Sequence, residues 1–83
     1  MTPEERKQLK SQCIMLAKAH KYLYKKGYVS AYPSENKIQM DEQALRAMFV
    51  GKKIEKRARS CSTYPFEIYR IEDGYEFFAL VEE

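Results

Sequence analysis

The chain of 83 residues contains no tryptophan, one histidine, two cysteines, three glycines and three prolines. Each shortage removes a class of chemistry. Structural zinc takes four ligands, mostly Cys and His at close spacing. Cys13, Cys61 and His20 make three, with no CxxC or HxxxH pair among them, so no metal and no cofactor is expected. Two cysteines do not make a disulfide framework. Phosphate-cradling loops need clustered glycines, whereas Gly27, Gly51 and Gly74 are solitary. Long apolar runs are missing too. Nothing approaches the ~18 residues of a membrane span, and Met1-Thr2-Pro3-Glu4-Glu5 lacks the apolar stretch of a signal peptide. These shortages together lead us to expect a cytoplasmic chain with reduced thiols and no membrane association.

Nucleophilic catalysis is poorly provided for. On a helix Cys13 and His20 would lie two turns apart, about 10.5 Å along the axis, against the ~3 Å that proton transfer requires. Only a pairing of Cys61 with His20 across the fold stays open. Both cysteine and histidine are read instead as packing residues: Cys13 as a small core side chain, and His20 as partly buried and bonded to a backbone carbonyl. Glu67 and Glu76 can share one face of a hairpin, but carboxylates there are ordinarily solvated charges. A catalytic pocket of roughly 300 Å³ is more than so short a chain readily spares. The reading is a binder, not an enzyme.

What is present suits one small core. At 45% hydrophobic and 33% charged, residues 1–83 are expected to form a single domain. The net charge of +3 is unevenly placed. Residues 64–83 hold six acids (Glu67, Glu72, Asp73, Glu76, Glu82 and Glu83) against Arg70 alone, while residues 1–63 hold fourteen bases against six acids. Such asymmetry suits either a charged partner or attraction between the two halves.

Thr2-Pro3-Glu4-Glu5 opens a helix, with threonine as cap, proline at the first position and Glu5 placed for a capping box. Leu9, Cys13, Leu16, His20 and Leu23 then recur at spacings of four, three, four and three, the amphipathic period. Lys25 and Lys26 suit the helix C-terminus, and Gly27 ends it. Tyr28–Tyr32 reads as a short strand or extended connector, and 33–37 as a loop. Asp41 caps a second helix over 42–50, with Ala44, Leu45, Met48 and Phe49 on one face and Gly51 after it. Residues 52–60 form an edge strand or a short helix, and 60–63 a polar turn. Asp73-Gly74 between Phe66–Glu72 and Tyr75–Val81 is a type I′ hairpin signal. Its register pairs Glu72 with Tyr75, Arg70 with Phe77, Ile68 with Ala79 and Phe66 with Val81. The alternate face pairs Ile71 with Glu76, Tyr69 with Phe78 and Glu67 with Leu80.

The expected fold class is therefore α+β: a long N-terminal helix and a short second helix packed on a small antiparallel sheet with a C-terminal β-hairpin. One hairpin face should lie on the long helix. A winged helix, with 52–60 as recognition helix, is the alternative architecture, disfavoured by an acidic wing that phosphates would repel.

Three surfaces stand out. Opposite the Leu9–Leu23 stripe lie Lys7, Lys10, Lys18, Lys21 and Lys25, interrupted by Ile14, Met15 and Tyr22. Ile14, Met15, Lys18, Lys21, Tyr22 and Lys25 form the expected partner-binding site, with apolar anchors inside a basic rim. Its partner would be an acidic protein surface or a nucleic-acid-bound protein. Second, Lys52, Lys53, Lys56, Arg57 and Arg59, near Tyr64, offer an alternative direct nucleic-acid site through phosphate contact and stacking, although no RNP, KH or finger pattern accompanies them. Third, the hairpin face of Tyr69, Phe78 and Leu80 could pair a homodimer. The general manner of the sequence, short and rich in tyrosine and lysine, resembles small accessory proteins of phages and mobile elements. That resemblance implies an inhibitor or adaptor acting on a nucleic-acid enzyme.

Overall fold

The computed structural model describes residues 1–61 and 63–82. Ser62 of the expected polar turn and Glu83 of the acidic tail lie outside the described residues. The chain is α+β, with a long helix, a short helix and a five-stranded mixed sheet whose last two strands form a hairpin.

Helix α1 runs Pro3–Lys25 without interruption. Its capping box forms as the sequence implies: the Glu5 amide donates to Thr2 Oγ1 at 3.1 Å, and the Thr2 amide donates to Glu5 Oε1 at 3.3 Å. At 23 residues it exceeds the roughly 12–15 needed to offset nucleation. No residue of α1 is buried. The helix touches the sheet at its root, where His20 and Tyr24 meet Tyr28 with ring centroids 5.6, 5.7 and 5.3 Å apart. The molecule is accordingly elongated, 51 × 26 × 23 Å. Two expectations are corrected here. The apolar stripe does not cover the hairpin, and Cys13 is exposed and not in the core. His20 is partly buried, against tyrosine rings.

The root of the arm is built tightly. Gly27 adopts φ +98°, and a Cβ there would meet the Ala44 Cβ at 2.4 Å and Asp41 Oδ2 at 2.7 Å. The Asp41 amide donates to the Gly27 carbonyl at 2.8 Å, and Asp41 Oδ1 accepts from the Ala44 amide at 2.7 Å. One glycine thus joins the end of α1 to the start of the second helix.

Strands β1 (Tyr28–Tyr32) and β2 (Lys37–Met40) flank a 3-10 turn at Pro33–Glu35. Helix α2 (Glu42–Met48) follows, then β3 (Glu55–Ala58), β4 (Phe66–Glu72) and β5 (Tyr75–Val81). Residues 52–60 therefore contain an edge strand, and the winged-helix alternative has no recognition helix. The sheet order is β1-β2-β5-β4-β3, with β2 parallel to β5 and the other pairs antiparallel. It is mixed because α2 and the β3–β4 pair supply the long crossover that a parallel neighbour requires. All seven expected hairpin pairs are present, and Asp73 and Gly74 both take positive φ, as a type I′ turn demands.

The core lies between α2 and one sheet face. Leu45, fully buried, packs with Met40, Phe49, Ile68, Ala79 and Val81, and Phe66, Phe77 and Ile38 surround them. Phe49 meets Phe77 edge-on at 5.3 Å. Met48, expected on the same helix face, stays exposed.

Candidate functional site

The fifteen basic residues fall into two populations. Eight belong to the sheet body, and seven of those are in ion pairs. Lys37 meets Glu76 at 3.6 Å, Arg46 meets Glu42 at 3.0 Å, Lys52 meets Glu72 at 2.8 Å and Lys53 meets Glu55 at 3.3 Å. Arg57 binds both Glu67 and Glu76, Arg59 reaches Glu67 at 3.9 Å and Arg70 meets Glu72 at 3.3 Å. Lys56 instead lies 4.3 Å from the Phe66 ring centroid. The other seven are Arg6, Lys7, Lys10, Lys18, Lys21 and Lys25 on α1, with Lys26 at its cap. None of them forms an ion pair among the described residues.

The second basic cluster is therefore divided. Strand alternation sends Arg57 and its neighbours Glu67, Tyr69 and Glu76 to the open sheet face, and Lys56 to the opposite side with Phe66. Arg57 Nη2 donates to Glu76 Oε2 at 2.7 Å, and the guanidinium stacks 4.0 Å from the Tyr69 ring. The Glu76 hydrogen bond, joined by Glu67, holds this guanidinium charged far above its ordinary range, against partial desolvation. Lys52, Lys53, Lys56, Arg57 and Arg59 each have a partner within the chain. Attraction between the two halves, one of the two readings of the charge asymmetry, is present in these pairs.

The open sheet face is occupied by the same network. Tyr69 lies under Arg57, and Phe78 is buried beside Tyr32, with ring centroids 6.2 Å apart, and Lys37. A shallow depression crosses this face between Tyr32, Gln39, Leu80 and Arg59. Beyond β3, the backbone amides of Tyr64 and Thr63 lower the Cys61 pKa below the usual thiol value, with a smaller contribution from Arg59.

On α1 the expected binding residues come together. Ile14, Met15 and Tyr22 are exposed, Tyr22 to 62%, and Lys18, Lys21 and Lys25 stand around them in solvent. Lys26, which the sequence reading left outside the site, lies 5.8 Å from the Tyr22 ring centroid. Leu9 and Leu16, read as core, are exposed to 51% and 58%. Counted with its cap, the helical segment 1–27 carries seven bases and two acids, whereas residues 28–83 carry eight bases and ten acids. A basic, partly apolar rod therefore projects from a slightly acidic body. No helix is long and apolar enough to cross a membrane among the described residues.

Comparison of the chain with family models, with curated proteins and with solved structures finds no match. The class that geometry defines is a small α+β body bearing an exposed basic helix.

Proposed function

We propose that this chain is a non-enzymatic interaction protein of inhibitor or adaptor type, whose projecting helix docks on an acidic protein surface. One observation carries the reading: seven of the eight bases of the sheet body are in ion pairs, whereas none of the seven on the helix and its cap is, among the described residues. Ile14, Met15 and Tyr22 supply anchors that bury apolar area in a partner, while Lys18, Lys21, Lys25 and Lys26 steer the encounter and rim the contact. A protein partner suits the site better than a phosphate backbone does. An isoleucine and a methionine among lysines need an apolar pocket, and phosphate contacts offer none. Direct nucleic-acid binding through both basic clusters loses support because the second cluster is committed within the chain.

The test is affinity capture from a nuclease-treated lysate, comparing the natural chain with Tyr22→Ala/Lys18→Glu. The double variant is expected to lose the captured protein while keeping its melting temperature. Capture that survives the substitutions contradicts the reading. Fluorescence-anisotropy titration with duplex and single-stranded oligonucleotides separates the other class: binding that weakens by about 0.9 log unit per log salt for each neutralised phosphate would assign the helix to nucleic acid.

A further inference from the structure

The lysines of α1 are not scattered over its outer side. Lys7, Lys10, Lys18, Lys21 and Lys25 follow one another at steps of three, eight, three and four, and Ile14 halves the long step. Lys7 and Lys25 lie about five whole turns apart, so the row runs parallel to the helix axis for about 27 Å. All five lysines are exposed, and none forms an ion pair among the described residues. Lys7–Lys10, Lys18–Lys21 and Lys21–Lys25 are like-charged neighbours at three- or four-residue spacing, an arrangement that weakens a lone helix. A helix whose charges serve only solubility mixes the two signs, yet no acid occurs between Glu5 and Glu35. The row also faces away from the sheet body, which meets α1 through His20 and Tyr24 on the stripe side. Its whole length is open to a partner.

We infer that this row receives one acidic α-helix of the partner protein, laid alongside α1 from Lys7 to Lys25. The inference rests on the proposed function and extends its site to Lys7 and Lys10. Charge complementarity sets the sign of the occupant, and spacing sets its form. Two α-helices share one pitch, so carboxylates at three- and four-residue steps meet the lysines turn by turn. An extended acidic chain repeats on one side every ~6.8 Å, out of step with helical turns of ~5.4 Å. Ile14 sits in the middle of the row, and Met15 and Tyr22 are exposed along one flank. These three require apolar side chains among the acids of the partner. The occupant is therefore an amphipathic acidic helix of about eighteen residues or more. Contact along the whole row relieves the repulsion between neighbouring lysines.

Fluorescence anisotropy of the full chain with two labelled synthetic peptides of about 20 residues tests this. One peptide carries glutamates and leucines at helical spacing, and the other has the same composition scrambled so that no face forms. The helical peptide should bind at least about tenfold more tightly. Lys7→Glu/Lys10→Glu should weaken its binding by about tenfold or more, as Lys21→Glu/Lys25→Glu does. Arg6→Glu, off the row, should change it by less than about threefold. Circular dichroism of each variant checks that α1 stays helical. Equal binding of the two peptides, binding of neither, or indifference to Lys7→Glu/Lys10→Glu overturns the inference. The proposed function then still stands if Tyr22→Ala/Lys18→Glu abolishes capture of the partner. Tighter binding to a duplex oligonucleotide than to either peptide would overturn both.

Discussion

The two parts of this molecule use the same residue types to different ends. In the sheet body, Arg57 sits between Glu67 and Glu76 over the Tyr69 ring, and the apolar residues of α2 are packed against β4 and β5. In the arm, seven bases form no ion pair among the described residues and Leu9 and Leu16 stand exposed, with no residue of α1 buried. The body pairs seven of its eight bases with its own acids and builds its core between α2 and the sheet. The arm leaves both kinds of surface for something else, and it persists as a helix through local effects: length, a capping box, and acids at its positive end with bases at its negative end. Exposed apolar side chains occur in both parts, Val50 and Ile71 among those of the body, so it is the bases without ion pairs among the described residues that set the arm apart.

The contrast can be broken or sharpened by substitution. The largest difference is expected between two leucines. Leu45→Ala should cost about 3 kcal/mol in urea unfolding, because it empties the only fully buried large position among the described residues. Leu16→Ala should change stability by less than about 0.5 kcal/mol; equal losses would mean that the arm is part of the core. Next comes the joint. Gly27→Ala should destabilise by about 2–3 kcal/mol, since a positive φ and a 2.4 Å approach to Ala44 both oppose a methyl group. Thermal melts of the variant check this, and a neutral result would mean that the arm is not fixed to α2.

Charge gives smaller effects. Arg57→Ala leaves Glu67 and Glu76 facing each other on adjacent strands, and the partly exposed site suggests a loss of about 1–2 kcal/mol. Lys18→Ala should leave the unfolding midpoint unchanged. The smallest effect concerns Glu72, whose carboxyl pKa is lowered chiefly by its hydrogen bond from Lys52, with help from Arg70. A lowered folded-state pKa favours the fold above the ordinary carboxylate value, and the benefit disappears as pH falls through the lowered one. Lys52→Ala should therefore raise the Glu72 pKa toward normal in an NMR titration and flatten the acid limb of the stability profile.

Much of the fold could be read in advance because it is set locally. Asp73-Gly74 fixes the hairpin register through the hand of its turn, and Thr2 to Glu5 fixes the start of α1. Asp41 likewise announces α2, although that helix ends at Met48 and not at 50. Strand β2 was not legible: Lys37–Met40 is four residues long, and its parallel pairing with β5 depends on a contact almost forty residues away. That Ile14, Met15, Lys18, Lys21, Tyr22 and Lys25 share one exposed face of α1 was legible from helical geometry alone. The opposite stripe was misassigned to the core, since periodicity shows which side of a helix is apolar and not what covers it. The internal pairing of Lys52 through Arg59 could not be seen either, because it requires knowing which strands are neighbours.

The most direct measurement of the contrast is amide hydrogen exchange on the intact chain at high dilution. The account predicts that amides along the outer turns of α1, from Arg6 to Lys18, exchange rapidly through local opening, while those of β4 and β5 exchange only through global unfolding. Equal protection of α1 and the central strands at that dilution would contradict it.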